Sequence, residues 1–224
     1  MTRIVLTTLG IACSAAHAPT IAPQHQVAAV DPASLCVTHG AIANGAIAEP
    51  TVRAFALGTS GDAAELAFTY ASDSRETRTL ESGQLRRQVG LKLRAQNSCN
   101  VVYVMWRIAP KPGLQVQVKH NPGKARNEEC GTDGYLKIKS AEKLAVPVLV
   151  AGTSHRLRAE IVGDELRAWI DGELAWNGEL PADARDIAGP AGLRTDNVRL
   201  DAVVLAAPHA DTPGLACKRH ETEE

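Results

Sequence analysis

The chain has 224 residues, 45% hydrophobic, 22% charged and 4% aromatic, with a formal net charge of −1. That balance excludes a disordered polyelectrolyte and a strongly basic nucleic-acid binder, and the length suffices for one large all-β domain or two small ones. Core volume must come from Val, Leu, Ile and Ala, so each of the three tryptophans is conspicuous.

The chain opens MTRIVLTTLGIACSAAHAPT. Arg3 supplies a positive start, Ile4 to Ala12 a short apolar run, and Ala16-His17-Ala18 a small-x-small cleavage site. Residues 1–18 therefore read as a secretory signal, with Ser14-Ala15-Ala16 the alternative site because Pro19 hinders cleavage after Ala18. A secreted or periplasmic location is expected. A lipid anchor on Cys13 is the alternative, although Gly10 stands where a leucine is usual. No other stretch is apolar for long enough to cross a bilayer as a helix, so no transmembrane segment is expected. Loss of the signal removes Cys13 and leaves Cys36, Cys99, Cys130 and Cys217. Four cysteines in an oxidising compartment imply two disulfides with three possible pairings. Cys36–Cys217 with Cys99–Cys130 is favoured, since the first ties the domain ends together and the second closes a local excursion.

Residues 19–50, rich in Ala, Pro and His, read as a linker and early strand. From Thr51 the hydrophobic period is close to two. TVRAFAL, ELAFTY, QLRRQVGLKLRA, NVVYVMWRI, LQVQVKH, GYLKIK, SHRLRAEIV, ELRAWI, ELAWNG, AGLRT and NVRLDAVVLA follow one another as short strands. Between them TSGD, PKPG, NPGK, GTDG, VGDE, DGE and RTDN carry turn chemistry. Helical candidates are one turn each, near Ser140 to Leu144 and Ala182 to Asp186. So many strands without intervening helices predict an all-β, two-sheet antiparallel sandwich or jelly roll over residues 51–217, with a frayed acidic tail at 218–224.

The segment SHRLRAEIVGDELRAWIDGELAWNGEL, followed by GPAGLRTDNVRLDAVVLA, resembles the closing half of concanavalin A-like (laminin G-like) jelly-roll domains. The resemblance covers roughly Ser154 to Ala206 and implies the fold. It leaves activity open, because that superfamily includes lectins, carbohydrate-binding modules, glucanases and polyanion lyases.

Charge is unevenly spread. From Ser82 to Asn127 stand nine cations and no acid: Arg86, Arg87, Lys92, Arg94, Arg107, Lys111, Lys119, Lys124 and Arg126. Alternation in QLRRQVGLKLRA turns Leu85, Val89, Leu91 and Leu93 inward and Arg86, Gln88, Lys92 and Arg94 outward, with Gly90 a gap in the row. LQVQVKH presents Gln115, Gln117 and Lys119, and NVVYVMWRI presents Tyr103, Met105 and Arg107. If the three strands are neighbours, Arg86, Gln88, Lys92, Arg94, Tyr103, Arg107, Gln115, Gln117 and Lys119 form one face suited to an anionic sugar polymer. Guanidinium groups match carboxylates, glutamines bond hydroxyls, and tyrosine offers a ring. The competing reading is a plain solvated face whose cations pair with acids from elsewhere.

Candidate chemistry is sparse. No strand reads E-x-D-x-E as in jelly-roll glucanases; Asp171 and Glu173 flank Gly172 in a hairpin turn. A polyuronate lyase needs cations and a proton carrier, and Arg94, Arg107, Gln117, His120 and Tyr103 or Tyr135 are of those types. Gln117 and His120 stand three apart, however, where the resembled lyases use Q-x-H, and His120 reads as a turn residue. The serines of TSGD and GTSH sit in turns. Asp133, Asp196 and Asn197 are the loop oxygens nearest to a calcium pattern, but no ligand string specifies a metal, and no cofactor is expected. Trp106 reads as core, while Trp169 and Trp176 flank the Asp171-Gly172 hairpin, where one either stacks on a ligand or closes the end of the sandwich. The expectation is an exported, non-catalytic recognition domain for acidic glycan or another polyanion, not nucleic acid. A polyuronate lyase and a structural envelope protein are the alternatives, and the oligomeric state stays open.

Overall fold

The computed structural model describes residues 22–142, 144–211 and Cys217. The signal-like residues 1–18, Cys13 and the tail 218–224 lie outside the described residues. In chain order the strands begin with β1 (Ala28–Ala29), β2 (Leu35–His39), β3 (Thr51–Ala56), β4 (Ala63–Asp73) and β5 (Arg87–Leu93). β6 (Val101–Ala109), β7 (Gly113–Lys119), β8 (Tyr135–Ile138) and β9 (Thr153–Val162) follow. β10 (Glu165–Ile170), β11 (Glu173–Glu179), β12 (Gly192–Asp196) and β13 (Val198–Ala207) complete the set, with one short helix, α1 (Asn127–Cys130).

These strands form two antiparallel sheets. One runs β1-β13-β4-β9-β10-β11 and the other β2-β3-β12-β5-β6-β7-β8. The fold is a β-sandwich. β1 and β2 lie within residues 19–50, and each takes a sheet edge. Alternation decides what fills the interior. Val89, Leu91 and Leu93 of β5, Val102, Val104 and Trp106 of β6, and Val116 and Val118 of β7 meet Leu66, Phe68, Leu157 and Leu166 of the opposite sheet in one core. Trp106 is 1% exposed, its ring edge-on to Phe68 and its indole N–H donating to the Pro147 carbonyl. Trp169 and Trp176 are buried as well, so neither is a sugar platform.

The disulfides are Cys36–Cys217 and Cys99–Cys130. Two local expectations need correction. Leu85 is 45% exposed rather than inward-facing, because regular β5 begins only at Arg87. Residues 140–142 form no helix, whereas Ala182–Ala184 is a single helical turn as expected, of 3-10 form. α1 arises instead at Asn127, where the Glu129 carboxylate accepts the N–H groups of Ala125 and Arg126. Those two donors hold the Glu129 carboxyl down at about 2.

Candidate functional site

The face of the seven-stranded sheet turned away from the core carries a cavity of about 260 Å³. Its floor comes from five strands through pairing register. Arg53 of β3 stands opposite Arg194 of β12, which stands opposite Gly90 of β5, which faces Met105 of β6. The next row along the same face is Lys92, Tyr103 and Gln117. The row on the other side holds Asp196 and Gln88. Gly90 is required here: a Cβ would lie 2.2 Å from the Val104 carbonyl oxygen. Two loops raise the walls. Asn197 holds the first, accepting the Arg78 N–H at 2.7 Å and donating to the carbonyls of Arg78 and Arg86, which sets Leu80, Glu81 and Ser82 at the rim. The second, between β7 and β8, carries Asn127 and Thr132, and the Cys99–Cys130 disulfide ties it to the β5–β6 connection next to Ser98. Asn121 bonds the carbonyls of Cys99 and Asp133 behind it.

Electrostatics in the cavity are dominated by cations. Two arginines directly opposite each other repel. Asp196, fully buried, offsets this by accepting Arg194 Nε at 2.9 Å and Gln88 Nε2 at 2.6 Å. Burial alone would lower the Arg194 pKa, but Asp196 and the two tyrosines leave it raised. Arg53 is lowered by burial and then by Arg194, and its Nε has no partner among the described residues. Lys92 is 8% exposed and lines the cavity, and its amine makes no hydrogen bond or ion pair among the described residues. Burial, then the charges of Arg53 and Arg194, push its amine down to about 7. Arg194 lies over the Tyr103 ring at 5.4 Å, Tyr103 stacks on Tyr135 at 6.2 Å, and Lys119 lies over Tyr135 at 5.1 Å. Burial and then Tyr103 raise the Tyr135 hydroxyl to about 12. Among the lining residues Glu81 is the single carboxylate. The buried Gln88 also leaves its Oε1 without a donor among the described residues.

No protein-family model matches the chain, and no curated protein matches its sequence. Solved structures do. A carbohydrate-binding module from Bacillus subtilis, CBM66, superposes with a TM-score of 0.51 at 11% identity, over 79% of this chain and 94% of that one. The galectin LEC-6 of Caenorhabditis elegans matches at a TM-score of 0.43 and 8% identity, over 80% and 97% respectively. The first similarity is one of fold, and the second adds no argument.

The nine face residues expected from the sequence divide into groups. Arg86, Gln88, Lys92, Tyr103 and Gln117 line the cavity. Lys119 is 1% exposed and its amine is committed to the Gly131 carbonyl at 2.7 Å. Arg107 and Gln115 hydrogen-bond each other on the same face, outside the lining. Arg94 leaves the set, past the end of β5 at a φ of 47°, with Nε 2.6 Å from Asp62. Arg87 and Arg126 likewise pair with Asp73 and Glu129. His120 ends β7 and lies outside the lining. Asp196 and Asn197, weighed above as calcium oxygens, are occupied with Arg194, Gln88 and the rim loop. Two principal residues escaped sequence reasoning: Arg53 and Arg194. Alternation in TVRAFAL and AGLRT puts both on the outer face, but nothing local says that β12 pairs with β5 and β3 with β12.

Two other features carry no comparable chemistry. An open groove of about 850 Å³ runs between edge strands β8 and β11 and shares no lining residue with the cation cavity. Thr153, His155 and Asp171 form a hydroxyl–imidazole–carboxylate chain at 2.8 and 2.7 Å. The Thr153 hydroxyl is already donated to the Val150 carbonyl, which removes it as a nucleophile.

Proposed function

We propose that the protein is an exported, non-catalytic recognition domain that binds acidic glycan in the cavity on the outer face of the seven-stranded sheet. The supporting observation is the convergence of Arg53, Arg86, Lys92 and Arg194, from three strands and a loop, around Tyr103 and Tyr135. Arginine forks match carboxylates, Gln88 and Gln117 suit hydroxyls, and the exposed Tyr135 ring offers a face for sugar C–H groups. A sandwich architecture shared with a carbohydrate-binding module supports the reading at the level of fold. Two disulfides accord with an oxidising compartment, and no helix among the described residues is long and apolar enough to cross a membrane. A lyase would have to rely on Tyr103 or Tyr135 as its proton carrier, since His120 is outside the cavity, and burial raises the Tyr135 hydroxyl to about 12.

Affinity electrophoresis through gels containing pectate, alginate or hyaluronan tests the proposal. Wild-type protein is expected to be retarded relative to a neutral dextran gel, and Arg53→Ala or Arg86→Ala to restore mobility. Arg94→Ala, whose guanidinium belongs to Asp62, should behave as wild type. Equal mobility in acidic and neutral gels would overturn the proposal. Appearance of unsaturated sugar product in the gel eluate would replace it with the lyase.

A further inference from the structure

A cavity of about 260 Å³ is small for a polymer-binding groove. At roughly 30 Å³ per water in the liquid it displaces about nine waters, the scale of one sugar ring rather than several. Its outline is closed on one side. Asn127 Nδ2 donates to Glu81 Oε2 at 3.2 Å, so the two rim loops touch and no chain can run out between them. Inside, the unmet groups are of two kinds. Lys92 and Arg53 Nε are donors without partners among the described residues, and Gln88 Oε1 is a buried acceptor in the same state. Donors alone would suit any anion. A buried acceptor beside them needs an O–H donor, which a bare inorganic anion such as sulfate lacks and a hydroxylated sugar acid carries.

Resting on the acidic-glycan reading, we infer that the cavity takes a single carboxylated sugar residue at a chain end, its carboxylate held by Arg53, Lys92 and Arg194 and a hydroxyl donated to Gln88. The planar forks of the two arginines receive the carboxylate oxygens, and the Lys92 amine sits one row further along the face.

Proton linkage follows from the groups that face Lys92. They are Arg53 of β3, Arg194 and its buried partner Asp196 of β12, Tyr103 of β6, Lys119 of β7 and Tyr135 of β8, with Glu81 at the rim. Without ligand the Lys92 amine titrates at about 7. A carboxylate placed against it raises that value, so above about pH 7 binding takes up a proton and affinity falls as pH rises. Below pH 7 Lys92 is already charged, and affinity is flat until the ligand's own carboxyl protonates near its ordinary pKa of about 3–4.

The experiment is calorimetric titration of the full chain with glucuronate and galacturonate, their short oligomers, glucose, and a sulfated glucose. Monomer and oligomer are expected to bind with equal affinity per chain, and glucose and the sulfated sugar at least tenfold more weakly. Uronate affinity should drop about tenfold between about pH 6 and about pH 8.5. In Lys92→Met, which keeps the apolar stem and removes a charge that burial opposes, affinity at pH 6 should fall and the pH dependence vanish. Affinity that grows with oligomer length while the monomer fails would overturn the chain-end inference and leave the acidic-glycan reading standing. A sulfated sugar binding as well as a uronate would overturn the carboxylate assignment, as would a pH dependence unchanged in Lys92→Met. Binding of none of the acidic sugars would sink both this inference and the reading beneath it.

Discussion

Asp196 shows how much one buried side chain determines. It is fully inaccessible, on a strand whose neighbours on both sides present cations, and it is shared by Arg194 and Gln88. Removing one partner of a buried ion pair leaves an uncompensated charge, which costs about 3–5 kcal/mol. Asp196→Asn is therefore expected to lower unfolding free energy by about that amount in urea titration. Adding Arg194→Met should recover part of the loss, because the stranded charge is then gone. A single variant as stable as wild type would show that Arg194 finds another counter-charge. Asp196 was legible in the sequence as an oxygen donor but not in this role, since its partner stands two residues away along a strand whose outward face was assigned no function.

At the scale of the element, periodicity carried the reading a long way. Each of the eleven runs picked out by alternation is a strand, because side-chain direction along an extended chain is set by covalent geometry and needs no tertiary contact. The positions that failed are those where a turn intrudes. Leu85 and Arg94 sit just beyond the two ends of β5, and there the two-residue rule no longer says where a side chain points. Gly90 belongs to this scale as well. It reads as a gap in a row of cations, yet a Cβ there would meet the Val104 carbonyl oxygen at 2.2 Å and Met105 Cα at 2.8 Å on β6. Because the obstructing atoms are backbone, Gly90→Ala forces the strands apart, and a loss near the upper end of about 1–3 kcal/mol is expected. Chemical denaturation measures it. An unaffected midpoint would mean that the β5–β6 approach is looser than the register requires.

For the whole molecule, the two disulfides do different jobs. Cys36–Cys217 spans 181 residues and joins β2 to the far end of the chain, while Cys99–Cys130 spans 31 and clamps the cavity wall. Paired serine substitution of either bridge should lower stability by about 2–4 kcal/mol. Ligand binding separates them. Loss of Cys99–Cys130 frees Ser98 from Asn127 and Thr132 and should weaken retardation in an acidic gel, whereas loss of Cys36–Cys217 should leave retardation intact below the melting temperature. Equal effects on binding would show that the wall does not depend on its own bridge.

The sequence by itself determined the strands, the turns between them, the count of paired cysteines and which side chains of each strand face outward. All of these follow from local backbone geometry and composition. Only the tertiary structure decided which strands lie side by side. That choice brought Arg53 and Arg194, 141 positions apart in the chain, next to Lys92, and sent Arg94 to Asp62 instead. Strand neighbours are selected by the fit of two whole apolar faces across a shared core, a sum over distant residues that no single segment encodes.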